Sequence, residues 1–320
     1  MVPPHDELGE PNMSQPLITA NQLEELLNTG ADVLLCDCRF DLAKPTAGRE
    51  AYQMSHLPGA IYVDLDQDLS GPQTGANGRH PLPSPEVWAK TRQRLGINLN
   101  TQVVAYDNQG SVFASRLWWM LRAIGHDQVQ VLDGGLDAWN GAIGSKPREP
   151  IALDAIPTAV PYRDLVLVDE VVANLGMTES AARLVLDART PDRFRGENET
   201  LDPVGGHIPG AANRCFKENL RSKQFKTADE LYREFSILLA GRSAKSIIHQ
   251  CGSGVTACHN LLAMEVAGIK GSQLYAGSWS EWCADSQRPI ATADTPHTQR
   301  LHICRRSGFS PMRAAVHLRN

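Results

Sequence analysis

The chain repeats itself. Leu35-Cys36-Asp37-Cys38-Arg39 recurs as Leu186-Asp187-Ala188-Arg189, aligned on Asp-x-Arg, and His56-Leu57-Pro58-Gly59-Ala60 recurs as His207-Ile208-Pro209-Gly210-Ala211. Val103-Val104-Ala105-Tyr106-Asp107 answers to Ile247-Ile248-His249-Gln250-Cys251, and Leu132-Asp133-Gly134-Gly135 with Trp139 answers to Tyr275-Ala276-Gly277-Ser278 with Trp282. Order and spacing hold throughout, and an offset of roughly 150 residues is the size of a domain rather than of a solenoid unit. Two domains are therefore expected, at about 17–144 and 164–288. A flexible N-terminus (1–16) precedes them, and a disordered or loosely attached tail (289–320) without a counterpart in the first copy follows. Between them 145–163, with prolines at 147, 150, 157 and 161, reads as an extended linker.

Each copy alternates short β-branched runs with amphipathic stretches. In the first, 21–28 reads as a helix and 33–38 as a strand, while Ser84-Pro85-Glu86 opens a helix with an N-cap and an N1 proline. A strand over 103–107, a helix over 113–124 ending at Gly125 and a strand over 129–132 complete it. In the second, Thr227 with Glu230 has the spacing of a capping box. Strands separated by helices predict an α/β fold in which each domain is a parallel sheet with helices on both faces.

Composition removes several classes of function. The 320 residues are 42% hydrophobic and 21% charged, and Lys+Arg 31 against Asp+Glu 36 gives −5, so no basic footprint marks a nucleic acid or anionic membrane as a partner. No apolar run approaches the roughly 20 residues that span a bilayer, and the N-terminus has no apolar leader. The seven cysteines (36, 38, 215, 251, 258, 283, 304) are odd in number and contain no C-x-x-C. That argues against a disulfide framework or a zinc site and for a reducing, cytoplasmic setting.

A duplicated chain carries its own control: what both copies share builds the fold, and what one copy alone has is a candidate for function. Asp37/Arg39 and Asp187/Arg189 are shared and read as structural pairs at a strand end. The two His-x-Pro-Gly-Ala segments read as turns that need glycine's conformational range. Cys251 stands where the first copy has Asp107, which reads as inert. It closes an apolar strand and begins Cys251-Gly252-Ser253-Gly254-Val255-Thr256-Ala257, which runs into a helix. Such a strand–loop–helix turns its amides inward and adds a helix N-terminus, so an anion is stabilised there and a thiol should ionise readily. The alternative is a buried, inert cysteine. Cys36, Cys38 and Cys258 read as core residues of that kind, with a redox partnership between Cys251 and Cys258 left to distance.

This loop, with the two turns and Trp282 after Gly277-Ser278, resembles the rhodanese family of sulfurtransferases. Over about 17–288 the tandem arrangement with an inactive first copy is similar to the thiosulfate and 3-mercaptopyruvate sulfurtransferases. The resemblance implies a double displacement. A Cys251 thiolate takes the outer sulfur of a small-molecule donor as a persulfide, releasing sulfite or pyruvate, and passes it to cyanide, a thiol or a thioredoxin-like reductant. Amides of the loop, at Gly252, Gly254, Val255 and Thr256, would cradle that anion. No cofactor or metal is required. Thiosulfate-type enzymes carry basic residues in this loop, so Gly252 and Ser253 favour mercaptopyruvate. Arg193 is similar to the arginine that binds the donor's anionic group. The second arginine usual in mercaptopyruvate enzymes is absent from 196–206, which has no basic residue. Asp66 and His80 resemble the aspartate and histidine that reach across the interface to the loop serine, so Asp66, His80 and Ser253 would form a relay that protonates the leaving enolate. The plain alternatives are a surface loop with an ordinary histidine and a solvated arginine. Two rival functions remain: a module that relays persulfide between partner proteins, and a cysteine phosphatase. The latter needs an arginine six residues after the cysteine, where this chain has Ala257.

Overall fold

The apolar runs of the first repeat form five strands and the amphipathic stretches the helices that cover them; the computed structural model describes residues 15–178 and 180–293. The elements run β1 (Leu17–Ile18), α1 (Ala20–Asn28), β2 (Val33–Asp37), α2 (Ala47–Met54), β3 (Ile61–Tyr62), α3 (Pro85–Leu95), β4 (Gln102–Tyr106), α4 (Ala114–Ala123) and β5 (Val129–Leu132). The second repeat continues with β6 (Leu165–Val166), α5 (Val168–Leu175), β7 (Leu184–Asp187), α6 (Pro191–Arg195), β8 (Ala212–Asn213), a hairpin of β9 (Leu220–Arg221) and β10 (Gln224–Phe225), α7 (Ala228–Leu239), β11 (Ile247–Gln250), α8 (Val255–Val266), β12 (Gln273–Tyr275) and α9 (Ser278–Trp282). The two five-stranded sheets are wholly parallel and ordered β1-β5-β4-β2-β3 and β6-β12-β11-β7-β8, so the sequence repeat is a repeat of topology.

Local chemistry sets the element ends. Ser84 accepts from the Val87 amide with Pro85 at the first helical position, and Thr227 and Glu230 cap each other's amides at the start of α7. The central strands are covered on both faces, which is why β2 (VLLCD) and β11 (IIHQ) carry no alternating polar residues on a solvent side. At the end of each sits the shared ion pair. Asp37 binds Nε and Nη2 of Arg39, and Asp187 binds Nε and Nη2 of Arg189, all four residues being buried. Each arginine then ties down the incoming turn, through the Ser55 carbonyl in one copy and the Gly206 carbonyl in the other. In those turns Gly59 (φ 80) and Gly210 (φ 77) are left-handed. The imidazoles of His56 and His207 stack on Tyr52 and Phe194, with Nδ1 near a carbonyl of the preceding helix.

The domains meet along α4 and α8, and one apolar core runs through the contact, from Cys36, Trp88 and Met120 to Phe235, Leu262 and Met264. The stretch 145–163 is extended, and it is also strapped to the first domain. Arg148 and Leu153 donate backbone amides to the Tyr52 hydroxyl and the Gln93 carbonyl, and Tyr162 donates its hydroxyl to the Pro83 carbonyl. Two expectations need correction at their edges. Residues 289–293 are docked rather than loose: Trp282 donates to the Pro289 carbonyl, and buried Ala291 bridges to His207. Gln15 and Pro16 lie against β5, their carbonyls accepting from Gln130 and Val131, so the flexible N-terminus cannot extend to 16. Residues 1–14 and 294–320 lie outside the described residues.

Replacing Arg39 with Leu removes the partner of a buried carboxylate, a change that costs about 3 kcal/mol or more. Scanning calorimetry should show a melting temperature lowered by on the order of 10 °C, and an unchanged value would mean the pair is dispensable.

Candidate active site

Where β11 ends, the chain turns through Cys251-Gly252-Ser253-Gly254 and enters α8 at Val255. Gly254 makes the turn at φ +79, with its α-carbon so close to Ala276 that an added Cβ would lie 2.3 Å from that carbonyl oxygen. The start of α9 clamps the loop from the other side. Trp279 and Ser280 donate amides to the carbonyls of Cys251 and Gly252, and the Ser278 hydroxyl accepts from the Cys251 amide. Cys251 is buried, and its sulfur lies 3.2 Å from the Gly254 amide nitrogen, which donates to it. No hydrogen bond among the described residues engages the amides of Ser253, Val255, Thr256 and Ala257, which follow in the same turn.

The first copy shows what that turn is for. Asp107 holds the position of Cys251, Gly110 (φ 75) that of Gly254, and Leu136 donates to the Asp107 carbonyl as Trp279 does to that of Cys251. The Asp107 carboxylate bends into its own loop and accepts from the amides of Gln109, Ser111, Phe113 and Ala114. By the same offset these are positions 253, 255, 257 and 258 of the second copy. One loop is thus filled by its own carboxylate, and in the other the Gly254 amide turns to the Cys251 sulfur.

The first domain also reaches into the second. Gly78 packs so closely on Gly277 that a Cβ would lie 2.7 Å from its carbonyl oxygen, and the Arg79 amide donates to the Ser280 hydroxyl. His80 follows, with Nδ1 2.7 Å from the Ser253 hydroxyl and Nε2 3.5 Å from Asp66. Burial, then the charges of Arg116 and Arg79, push the His80 pKa down to about 3, so the imidazole is neutral. Burial and the nearby Asp64 raise that of Asp66. Buried Arg116, from α4, donates to the carbonyls of Gly254, Leu69 and His80.

Arg193, on α6, is held in a fork by Glu199 through Nε (3.0 Å) and Nη2 (2.8 Å), and its Nη2 lies 3.4 Å from Asp202. Its guanidinium borders the loop: a Cβ on Gly252 would lie 3.5 Å from Nη2 of Arg193. Arg79, which sequence reasoning passed over, lies closer still, with Nη2 2.8 Å from that point and Nη1 paired with Asp202. Its only signal was its place between Gly78 and His80. The structure therefore brings Cys251, Ser253, His80, Asp66 and Arg193 together, with Val255 and Thr256 opening α8. Burial raises the Cys258 thiol pKa to about 12, and its hydrogen goes to the Gly254 carbonyl.

The chain matches the rhodanese-like domain twice, over residues 19–142 and 167–285. It is 45% identical to a probable 3-mercaptopyruvate sulfurtransferase of Pseudomonas aeruginosa, covering 88% of this chain and 99% of that one. It is 37% identical to a putative thiosulfate sulfurtransferase of Mycobacterium tuberculosis, over 86% and 96% of the two chains. The crystal structure of the Escherichia coli 3-mercaptopyruvate sulfotransferase superposes with a TM-score of 0.70 at 31% identity, over 83% of this chain and 99% of that one.

Asp107→Ala would strip four amides of their acceptor, at roughly 1–3 kcal/mol for each left unsatisfied. The expected result is a clear fall in thermal stability, with turnover within a few-fold of the parent at temperatures where the variant is folded. A loss of turnover in the folded variant would give the first loop a direct role.

Proposed function

The chain belongs to the rhodanese family and is a sulfurtransferase working through a cysteine persulfide, and from that premise we propose that Cys251 carries the persulfide and that 3-mercaptopyruvate is the preferred donor. The observation that carries the donor is the short contact between His80 Nδ1 and the Ser253 hydroxyl, with Asp66 behind, two residues from the sulfur. Mercaptopyruvate leaves as an enolate that needs a proton on carbon, whereas thiosulfate leaves as sulfite and needs none. A relay beside Cys251 suits the first donor.

The carboxylate of Asp66 can only accept, so the His80 tautomer with hydrogen on Nε2 faces it, and Nδ1 accepts from Ser253. A neutral imidazole in that position receives the proton given up by the Cys251 thiol, through the Ser253 hydroxyl. The thiolate attacks the donor sulfur, the carbon–sulfur bond breaks, and its electron pair stays on carbon. Ser253 then delivers the proton to that carbon and is refilled from His80, giving pyruvate and a Cys251 persulfide. The amides of Ser253, Val255, Thr256 and Ala257 stabilise the outer sulfur as an anion, with Gly252 and Gly254 shaping the loop. A thiol or cyanide removes that sulfur and regenerates the thiolate; with a thioredoxin-like dithiol as reductant, the products are hydrogen sulfide and a disulfide. We assign the reaction to the cytoplasm, where such thiols are abundant. The described residues hold no helix long and apolar enough to cross a membrane.

Cys251→Ser should abolish transfer with the fold intact, and mass spectrometry of the donor-treated parent should find the added sulfur on Cys251. An adduct confined to another cysteine overturns the assignment. Pyruvate release without a partner protein separates an enzyme from a persulfide relay module. Ser253→Ala should lower kcat/KM for mercaptopyruvate by roughly 100-fold and leave the thiosulfate reaction nearly unchanged. Should thiosulfate be the better donor and that variant harmless, the donor reading is wrong.

A further inference from the structure

Away from the catalytic loop, a groove of about 380 Å³ opens between α2, α3 and the strap at 147–150. Every residue that lines it belongs to the first domain or the strap. Three arginines are among them, each from a different element: Arg49 on α2, Arg94 on α3 and Arg148 on the strap. We propose that this groove is a second ligand site, separate from the one at Cys251, and that it takes a small oxyanion bearing two or more negative charges.

The groove is rich in donors and poor in open acceptors. Its lining sets three arginines against two carboxylates, Asp68 and Glu149. Asp68 is already engaged, one oxygen accepting from Arg94 and the other from the Asp64 amide. Asp64, next to it, accepts the amides of Asp66 and Gln67 through Oδ1, and Nη2 of Arg49 comes no closer than 3.9 Å to its Oδ2. Arg49 makes no hydrogen bond among the described residues, and the Arg148 guanidinium donates to one carbonyl, that of Gly59. Most N–H groups of these two side chains therefore have no protein acceptor, and a guanidinium presents them in pairs that match a phosphate or a carboxylate. The cations are also held in place. Arg49 lies over the Tyr62 ring at 4.6 Å, Arg94 is paired with Asp68, and the Arg148 amide is anchored on the Tyr52 hydroxyl. Cations set in advance lose little freedom on binding. The second copy lacks the arrangement: Asn213 pairs with Asp187 where Tyr62 pairs with Asp37, so the ring beneath Arg49 has no counterpart. As with Cys251, a feature of one copy alone is a candidate for function.

A volume of this order holds a compact ligand. Guanidiniums from three elements favour an anion with charge at more than one point, a diphosphate or a di- or tricarboxylate, over a monovalent ion. Glu149, the exposed carboxylate of the lining, opposes such a ligand, so neutralising it strengthens binding. The site stands whichever donor the loop at Cys251 prefers.

The test uses the full chain and two probes, pyrophosphate and citrate, with binding measured by titration calorimetry at low ionic strength. The parent is expected to bind at least one of them with a Kd below about 1 mM and to melt at a higher temperature in its presence. Binding of pyrophosphate alone or citrate alone identifies the phosphate or the carboxylate as the group recognised, and binding of both identifies their shared charge. The double change Arg49→Ala with Arg148→Ala should weaken the probe by about tenfold or more, as loss of charge-assisted contacts does. Glu149→Gln should tighten it several-fold. Sulfur transfer by both variants should stay at the parent level, which shows that they are folded and that the catalytic loop is untouched. Arg193→Ala should leave probe binding as it is in the parent. Failure of both probes to bind overturns the proposal. So does affinity that survives the double change or disappears in Arg193→Ala, since the anion then sits at the catalytic loop. Weaker binding in Glu149→Gln overturns the anionic class.

Discussion

One buried arginine links the loop at Cys251 to the first domain. Arg116 is fully enclosed between the domains, and no carboxylate among the described residues pairs with it; three carbonyls hold its charge instead. One belongs to Gly254 at the turn of the catalytic loop, and the others to Leu69 and His80 in the first domain. Alongside the contacts of Gly78 and Arg79, this guanidinium ties the loop to the first-domain segment that carries His80. Because its charge is solvated by dipoles and not cancelled, it projects a positive potential onto the back of the loop. It helps keep His80 neutral, second only to burial.

The duplication has been used asymmetrically. Both copies keep the Asp–Arg pair, the stacked histidine turn and the left-handed glycine of the loop, since each is needed to hold a short parallel strand against its crossover. They part company at the loop's centre. With Asp107 satisfying its own amides, the first loop is closed by its own side chain. The first domain instead brings Asp66, Arg79, His80 and Arg116 to the loop of the second.

Much of this was legible in the sequence because repetition separates frame from function. The sheets, the cap of α3, the capping box of α7 and the contrast between Cys251 and Asp107 could all be read from local pattern. Elements as short as β3, α6 and β8 could not, because two to five residues are too few to show a period. The docking of 289–293 was hidden for a different reason: backbone pairing with His207 leaves no mark on side-chain composition. Arg79 was hidden by distance in sequence. It stands at the Gly252 turn beside Arg193, from which it lies more than a hundred residues away along the chain.

The strap between the domains has a consequence for covalent continuity. It is tied to the first domain by backbone and hydroxyl hydrogen bonds, while the two halves are joined by an apolar core and by Arg116. A protease cut within 149–161 would therefore leave two fragments that stay associated, with the loop still facing His80. Such a nicked molecule would keep its site, and the halves produced as separate chains would find each other through the same surfaces. The peptide link raises their effective concentration and is not what holds the site together.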